Sequence, residues 1–285
     1  MKVIKFFIIF SVLIIVLGSC QKRVTFRAEQ SLIHYDKLLE FYTRFENGNV
    51  DEIVHNYIMN QLRRGEGIIE DIEFSRETRD IIEKGSNIVC RFYPQHSRRI
   101  MLVSNYSGLG ISRSDNRKKE IEQMSFGISL QLETARLLST SIPNQYGVDL
   151  IFLDSVNEDN LINGISPAFR ELIAGYDKPK PEVGVYLCLN PSAEISLPID
   201  EYSYQKLPYI VYRIWTTAEN LGWKEFKKRI ETTTLLKDEE LLYSELNVIK
   251  LQNDKEETEE ILPDQLLANF RLFGSLFKEL IYGKD

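Results

Sequence analysis

Along residues 28–45 apolar side chains recur every three or four positions (Leu32, Tyr35, Leu38, Leu39, Tyr42). That spacing places them on one face of an α-helix, and Gly48 ends the segment. Asn49 can cap a second helix that carries Ile53, Val54, Tyr57 and Leu62 along one stripe. Residues 68–74 read as a weak strand, interrupted by the charges of Glu70, Asp71 and Glu73. Two stronger strands follow at 87–93 and 100–104, and the polar turn Pro94-Gln95-His96-Ser97-Arg98 between them suits a hairpin. Past a loop at 108–116 the helical period returns over 119–139, and an unbroken apolar run at 148–153 has the character of a buried strand. The remainder predicts a helix at 167–174, a Lys-Pro linker at 178–181, a buried strand at 183–189, a helix at 208–221, a strand at 247–251 and a terminal helix. Pro263 opens that last helix, whose apolar stripe is Leu266, Leu267, Phe270, Phe273, Phe277 and Leu280. Strands alternating with helices around apolar strand centres predict an α/β domain of three αβα layers.

The first residues follow another pattern. Lys2 and Lys5 precede an apolar run over 6–17 that ends in Leu17-Gly18-Ser19-Cys20. The run is shorter than the about 20 apolar residues that cross a hydrocarbon core. It reads as a bacterial lipoprotein signal over 1–19, cleaved to leave Cys20 for acylation. Residues 20–30 then form a tether and 31–285 the domain, with the lipid as its contact with a membrane. Lys22 and Arg23 make the tether basic, which gives no acidic surface-export signal; the expected location is the periplasmic face of the outer membrane.

Removing the signal lowers the Lys and Arg count from 35 to 33 against 42 Asp and Glu, so the net charge moves from −7 to −9. That acidity excludes a nucleic-acid partner, which calls for a basic footprint. Cys90 and Cys188 sit inside apolar strand runs and read as buried free thiols, a bridge between them being open if their strands are adjacent and aligned.

Several phrases together carry a resemblance. Residues 87–94 (Asn-Ile-Val-Cys-Arg-Phe-Tyr-Pro) with 98–104 (Arg-Arg-Ile-Met-Leu-Val-Ser) resemble the opening hairpin of the M28 zinc peptidase and glutaminyl cyclase family. Residues 133–139 resemble the helix after that family's bridging aspartate, and 148–154 the strand that delivers its glutamate pair. Residues 186–190 resemble the strand delivering a later aspartate, and 209–222 the helix that follows. The order and spacing hold from about Leu32 onward. The resemblance implies a zinc aminopeptidase-like fold with a central, mostly parallel mixed sheet.

Carried over position by position, it also implies that the chemistry has gone. The family's histidine and aspartate after the second strand fall on Asn105 and Ser107, with Tyr106 between them. The bridging aspartate falls on Gln123, or on Glu122 if the register slips by one. The glutamate pair falls on Val156 and Asn157, after Asp154 and Ser155, and the later aspartate on Asn190. The acidic pair and histidine before the penultimate strand fall on Asp238, Glu239 and Glu240. No histidine follows His96, so the terminal ligand has no counterpart. A catalytic zinc needs about three protein ligands, and valine can neither bind it nor take a proton from its water. The expectation is a chain with no catalytic residue and no metal cofactor, where active relatives hold zinc. It would be a binding or scaffolding protein of the cell envelope with a peptide or protein partner at a rim of Asn105, Tyr106, Ser107, Asp154, Asn157 and Asn190, a pocket to which Asp238 and Glu239 are further candidates. Two rivals stand beside it. One is an active metallo-aminopeptidase or glutaminyl-peptide cyclotransferase using Glu122, Asp154, Asp238, Glu239 and Glu240 around an oxygen-loving cation. The other is a structural lipoprotein whose rim is filled by its own loops.

Overall fold

The computed structural model describes residues 25–44, 50–78, 81–107, 117–143, 145–154, 183–189, 191, 199–222, 230–231, 248–252 and 263–283. Helices α1 (Ala28–Arg44) and α2 (Val50–Leu62) lead into strands β1 (Ile68–Thr78), β2 (Ile81–Phe92) and β3 (Arg98–Asn105). Helix α3 (Arg117–Thr140) precedes β4 (Tyr146–Leu153) and β5 (Val183–Cys188). A small unit of β6 (Ile199–Asp200) and α4 (Glu201–Lys206) leads to α5 (Pro208–Asn220), followed by β7 (Ile230–Glu231), β8 (Val248–Gln252) and α6 (Pro263–Tyr282).

Six strands form one mixed sheet in the order β1-β2-β4-β3-β5-β8; β1-β2 and β2-β4 pair antiparallel and the other three pairs are parallel. β6 and β7 make a separate parallel pair. Every residue of β4 is buried, so both of its faces are covered, as a three-layer α/β arrangement requires. Ile88, Cys90, Phe92, Ile100, Leu102, Val148, Leu150, Phe152, Val185 and Leu187 share one core with α1, α3 and α6. Within it Phe126 of α3 stacks on Phe270 of α6 at 4.4 Å, and Tyr35 of α1 meets Phe270 edge-on. Gly127 lets α3 lie close to the sheet, since a Cβ there would stand 3.2 Å from Ser104 Cβ.

The hairpin expected from 87–104 does not form: β2 and β3 are separated by β4, antiparallel to the first and parallel to the second. β2 turns back on β1 instead, from Ile68 opposite Arg91 to Thr78 opposite Ile81, and the segment whose charges predict only a weak strand is a long edge partner. The 93–97 turn crosses over β4's start. Tyr93 takes a left-handed backbone (φ 53°), and Arg99 donates to the carbonyls of Phe92 and Tyr93. The same guanidinium forms a two-pronged ion pair with the buried Asp149, Nε to Oδ2 at 2.9 Å, locking β3 to β4 where both begin.

The folded body starts earlier than residue 31. Arg27 N–H donates to the buried Glu133 of α3 at 2.8 Å, Arg136 donates to the Thr25 carbonyl, and Phe26 fills the space above Gly274 of α6. Cys90 is a buried free thiol, which burial and the nearby Asp149 charge push up to about 12. The predicted helix at 167–174 and linker at 178–181 lie outside the described residues, as do Cys20 and the side chain of Cys188. Among the described residues no helix is long and apolar enough to cross a membrane.

Candidate functional site

The sheet has two distinct ends. At one, β3 and β4 finish, β2 begins, and α2 and α3 start; at the other, β3 and β4 start and α2 and α3 finish. In parallel-rich α/β folds the ligand crevice lies beyond the carboxyl ends of the strands, which here is the first of these ends. Asn105 closes β3, Tyr106 and Ser107 follow it, and Asp154 follows β4. The Tyr106 N–H donates to the Leu153 carbonyl at 2.9 Å, so the parallel pairing continues one step past the strands and brings residues 106–107 beside 154.

Asn105, Tyr106, Ser107 and Asp154 are all buried. Ser107 Oγ donates to Asp154 Oδ1, and the Ser86 N–H donates to Oδ2 at 3.0 Å. Asp154 N–H donates to the Asn87 side-chain oxygen at 3.0 Å. The Tyr106 hydroxyl donates to the Ser86 carbonyl at 2.6 Å, while Tyr42 of α1 donates to the Tyr106 carbonyl. A second polar layer lies outward. His55 of α2 stands 3.2 Å from the Asp71 carboxylate, Ser86 Oγ donates to the same carboxylate, and the His55 and Tyr106 rings are 5.9 Å apart. Gly85 leaves room beneath this layer, since a Cβ there would stand 2.9 Å from Asp154 Oδ2 and closer still to the Phe74 ring.

Burial raises the Asp154 carboxyl above its ordinary range, although the donors from Ser107 and Ser86 and the neighbouring His55 oppose this. Asp51, in the first turn of α2, is pushed up to about 6 by the protein crowded around its carboxyl and by the Asp154 charge. The Tyr106 and Tyr42 hydroxyls are pushed up by burial and by Asp154 and Asp51, which keeps them donors.

Of the residues singled out from the sequence, the fold brings Asn105, Tyr106, Ser107 and Asp154 together. Gln123 and Glu122 lie on the second turn of α3, half-buried; Glu122 is raised by burial and pulled back by Lys118, 3.8 Å away. Val156, Asn157, Asn190, Asp238, Glu239 and Glu240 lie outside the described residues. Asp51, His55, Asp71 and Ser86 reach this end without any signal in the sequence, since helical periodicity tells which face of α2 is buried but not which end of a sheet it covers, and strand alternation does not tell that β1 pairs with β2.

Ser107 and Asp154, bonded as they are, do not offer zinc a ligand pair. Zinc takes thiolate, imidazole or carboxylate ligands. Ser107 offers a hydroxyl that already gives its proton to Asp154, and both Asp154 oxygens already accept from donors of the protein. Among the described residues no three His, Cys, Asp or Glu side chains gather to hold a metal ion. Among the described residues the hydroxyls of Ser107, Tyr106 and Tyr42 each donate to an acceptor of the protein itself.

No family model and no curated protein matches the sequence. Solved structures match along nearly the whole chain. The glutaminyl cyclase of Tannerella forsythia superposes with a TM-score of 0.71 at 18% identity, over 92% of this chain and 100% of that one. A Zn-dependent exopeptidase from Parabacteroides distasonis gives 0.70 at 17% identity, over 91% and 99%. A leucine aminopeptidase precursor from Bacteroides thetaiotaomicron gives 0.69 at 18% identity, over 92% and 98%. The chain has the α/β fold of these glutaminyl cyclases and zinc-dependent exopeptidases.

Proposed function

We propose that this chain is a catalytically silent member of the M28 zinc peptidase and glutaminyl cyclase family, held at the bacterial cell envelope by a lipid on Cys20. It acts there as a binding or scaffolding component with a peptide or protein partner, and it carries no zinc. The observation that supports this reading most is the bond from Ser107 to the buried Asp154. Where the resemblance implies an aspartate, a hydroxyl stabilises a neighbouring carboxylate instead. An aspartate lined by hydroxyl and N–H donors is satisfied without a cation, which supports the metal-free reading.

The test is enzymatic. The purified domain, supplied with zinc, is assayed on glutaminyl peptides for cyclisation and on aminoacyl amides for hydrolysis. Turnover at the background of the buffer is the expected result. Zinc-dependent turnover of either substrate, abolished by a chelator and restored by metal, overturns the proposal.

A further inference from the structure

The lipid proposed on Cys20 has a geometric consequence, which stands or falls with that reading. Only four residues, 21–24, separate Cys20 from Thr25. At about 3.5 Å per residue the link spans no more than about 18 Å. Its far end is fixed: the Thr25 carbonyl is held by Arg136, Arg27 N–H by Glu133, and Phe26 by packing over Gly274. Arg136 lies four residues before the end of α3 and thirteen after Gln123. At 1.5 Å per residue it is about 6 Å from the strand-start end and about 20 Å from the level of Gln123. A short tether leaving from there reaches past the strand-start end but not past the rim.

The surface at the strand-start end suits that position. After α2 the chain presents Arg63 and Arg64, both exposed, then Ile68 at 52% exposure where β1 begins. The Glu66 N–H donates to Ser139 near the end of α3, and three residues beyond, Ile142 stands 67% exposed. Glu66 is the single carboxylate in residues 63–68. The neighbouring flank, the outer side of α1, is unsuited to an anionic surface, since its exposed positions include Glu29, Asp36 and Glu40. Basic and apolar side chains beside a lipid-bearing tether are the chemistry that seats a protein on anionic headgroups.

We infer that the anchored protein rests on the bilayer by its strand-start end, with Arg63, Arg64, Ile68 and Ile142 at the headgroups, and that the Asn105–Asp154 rim faces away from the membrane. The partner of this surface is therefore lipid.

The experiment uses the full lipidated chain in vesicles of phosphatidylethanolamine and phosphatidylglycerol, some of whose acyl chains carry a nitroxide quencher. A fluorescent coumarin amino acid is encoded in place of Ile142 or in place of Lys118, an exposed residue at the rim end of α3. Quenching at 142 at least about twofold stronger than at 118 is expected, as is weaker quenching at 142 in Arg63→Glu/Arg64→Glu. Equal quenching at the two positions, or stronger quenching at 118, overturns the orientation. Mass spectrometry of the N-terminal peptide tests the premise separately. An unmodified Cys20 removes the anchor and the inference with it, whereas a diacylglyceryl Cys20 with the wrong quenching pattern defeats the orientation alone.

Discussion

Ser107→Asp returns to the rim the carboxylate that the family resemblance implies, and the structure sets what it should cost. Ser107 Oγ donates to Asp154 in a buried setting. The substitution removes that donor and sets a second carboxylate against the first. Two like charges about 4 Å apart at an effective dielectric constant of about 20 repel by about 4 kcal/mol. The escape is to protonate one of them, and holding an ordinary carboxyl of pKa about 3.9 neutral at pH 7 costs about the same. The variant should therefore lose about 4 kcal/mol at pH 7. A carboxyl whose pKa is raised on folding destabilises most above that raised value and recovers as the pH falls. Near pH 4.5 the loss should shrink to about 1 kcal/mol. Ser107→Asn matches the aspartate in size and keeps a donor without charge, so its loss should be smaller than the aspartate's at pH 7 and alike at both pH values. Urea unfolding followed by circular dichroism at pH 7 and pH 4.5, with and without zinc, measures all three proteins. An aspartate variant as stable as its parent at pH 7, or one that zinc stabilises, would show that the rim still accommodates charge and would refute the reasoning.

Buried groups elsewhere carry two further predictions. Asp149→Ala leaves the Arg99 guanidinium, 2% exposed, with carbonyl partners but without its carboxylate, at a cost of about 3–5 kcal/mol. In a domain of this size that lowers Tm by about 6–20 °C, and Arg99→Met/Asp149→Leu should recover most of it; a loss under about 1 kcal/mol in the single variant would mean the pair is not a lock. His34 is buried against the Tyr57 hydroxyl, and desolvation together with the Arg64 charge lowers it to about 4. Its neutral ring contributes fully above pH 6.5, and the contribution fades toward pH 4 by about 3 kcal/mol. Thermal melts of His34→Asn and its parent at pH 7 and pH 5 should show the parent losing more stability on acidification, and parallel losses would contradict the assignment.

The helices are legible in the sequence because their faces obey one period: Leu38 and Tyr42 of α1 and Phe270, Phe273 and Phe277 of α6 are buried as their spacing requires. Strand neighbours are not. Alternation shows that 87–93 and 100–104 are strands, but the pairing of β2 with β1 and β4 depends on long-range packing. β1 carries a weak signal because Glu70 and Asp71 lie on a sheet edge, where Arg91, His55 and Ser86 meet them. The rim is half-legible. Asn105, Ser107 and Asp154 are placed at strand ends by their phrases, whereas Asp51 and His55 join them because α2 packs over the start of β2, and Asp71 because β1 pairs with β2. The direction of the Ser107 hydroxyl, donor to a carboxylate rather than bystander to a metal, needs the third dimension.

Whether the rim binds zinc is the central question. Equilibrium dialysis of the purified domain against zinc, with metal counted per chain, tests this most directly. Metal well below one equivalent per chain, unchanged in Ser107→Ala, is the predicted result. One tightly held zinc per chain, lost in Asp154→Ala, would contradict it.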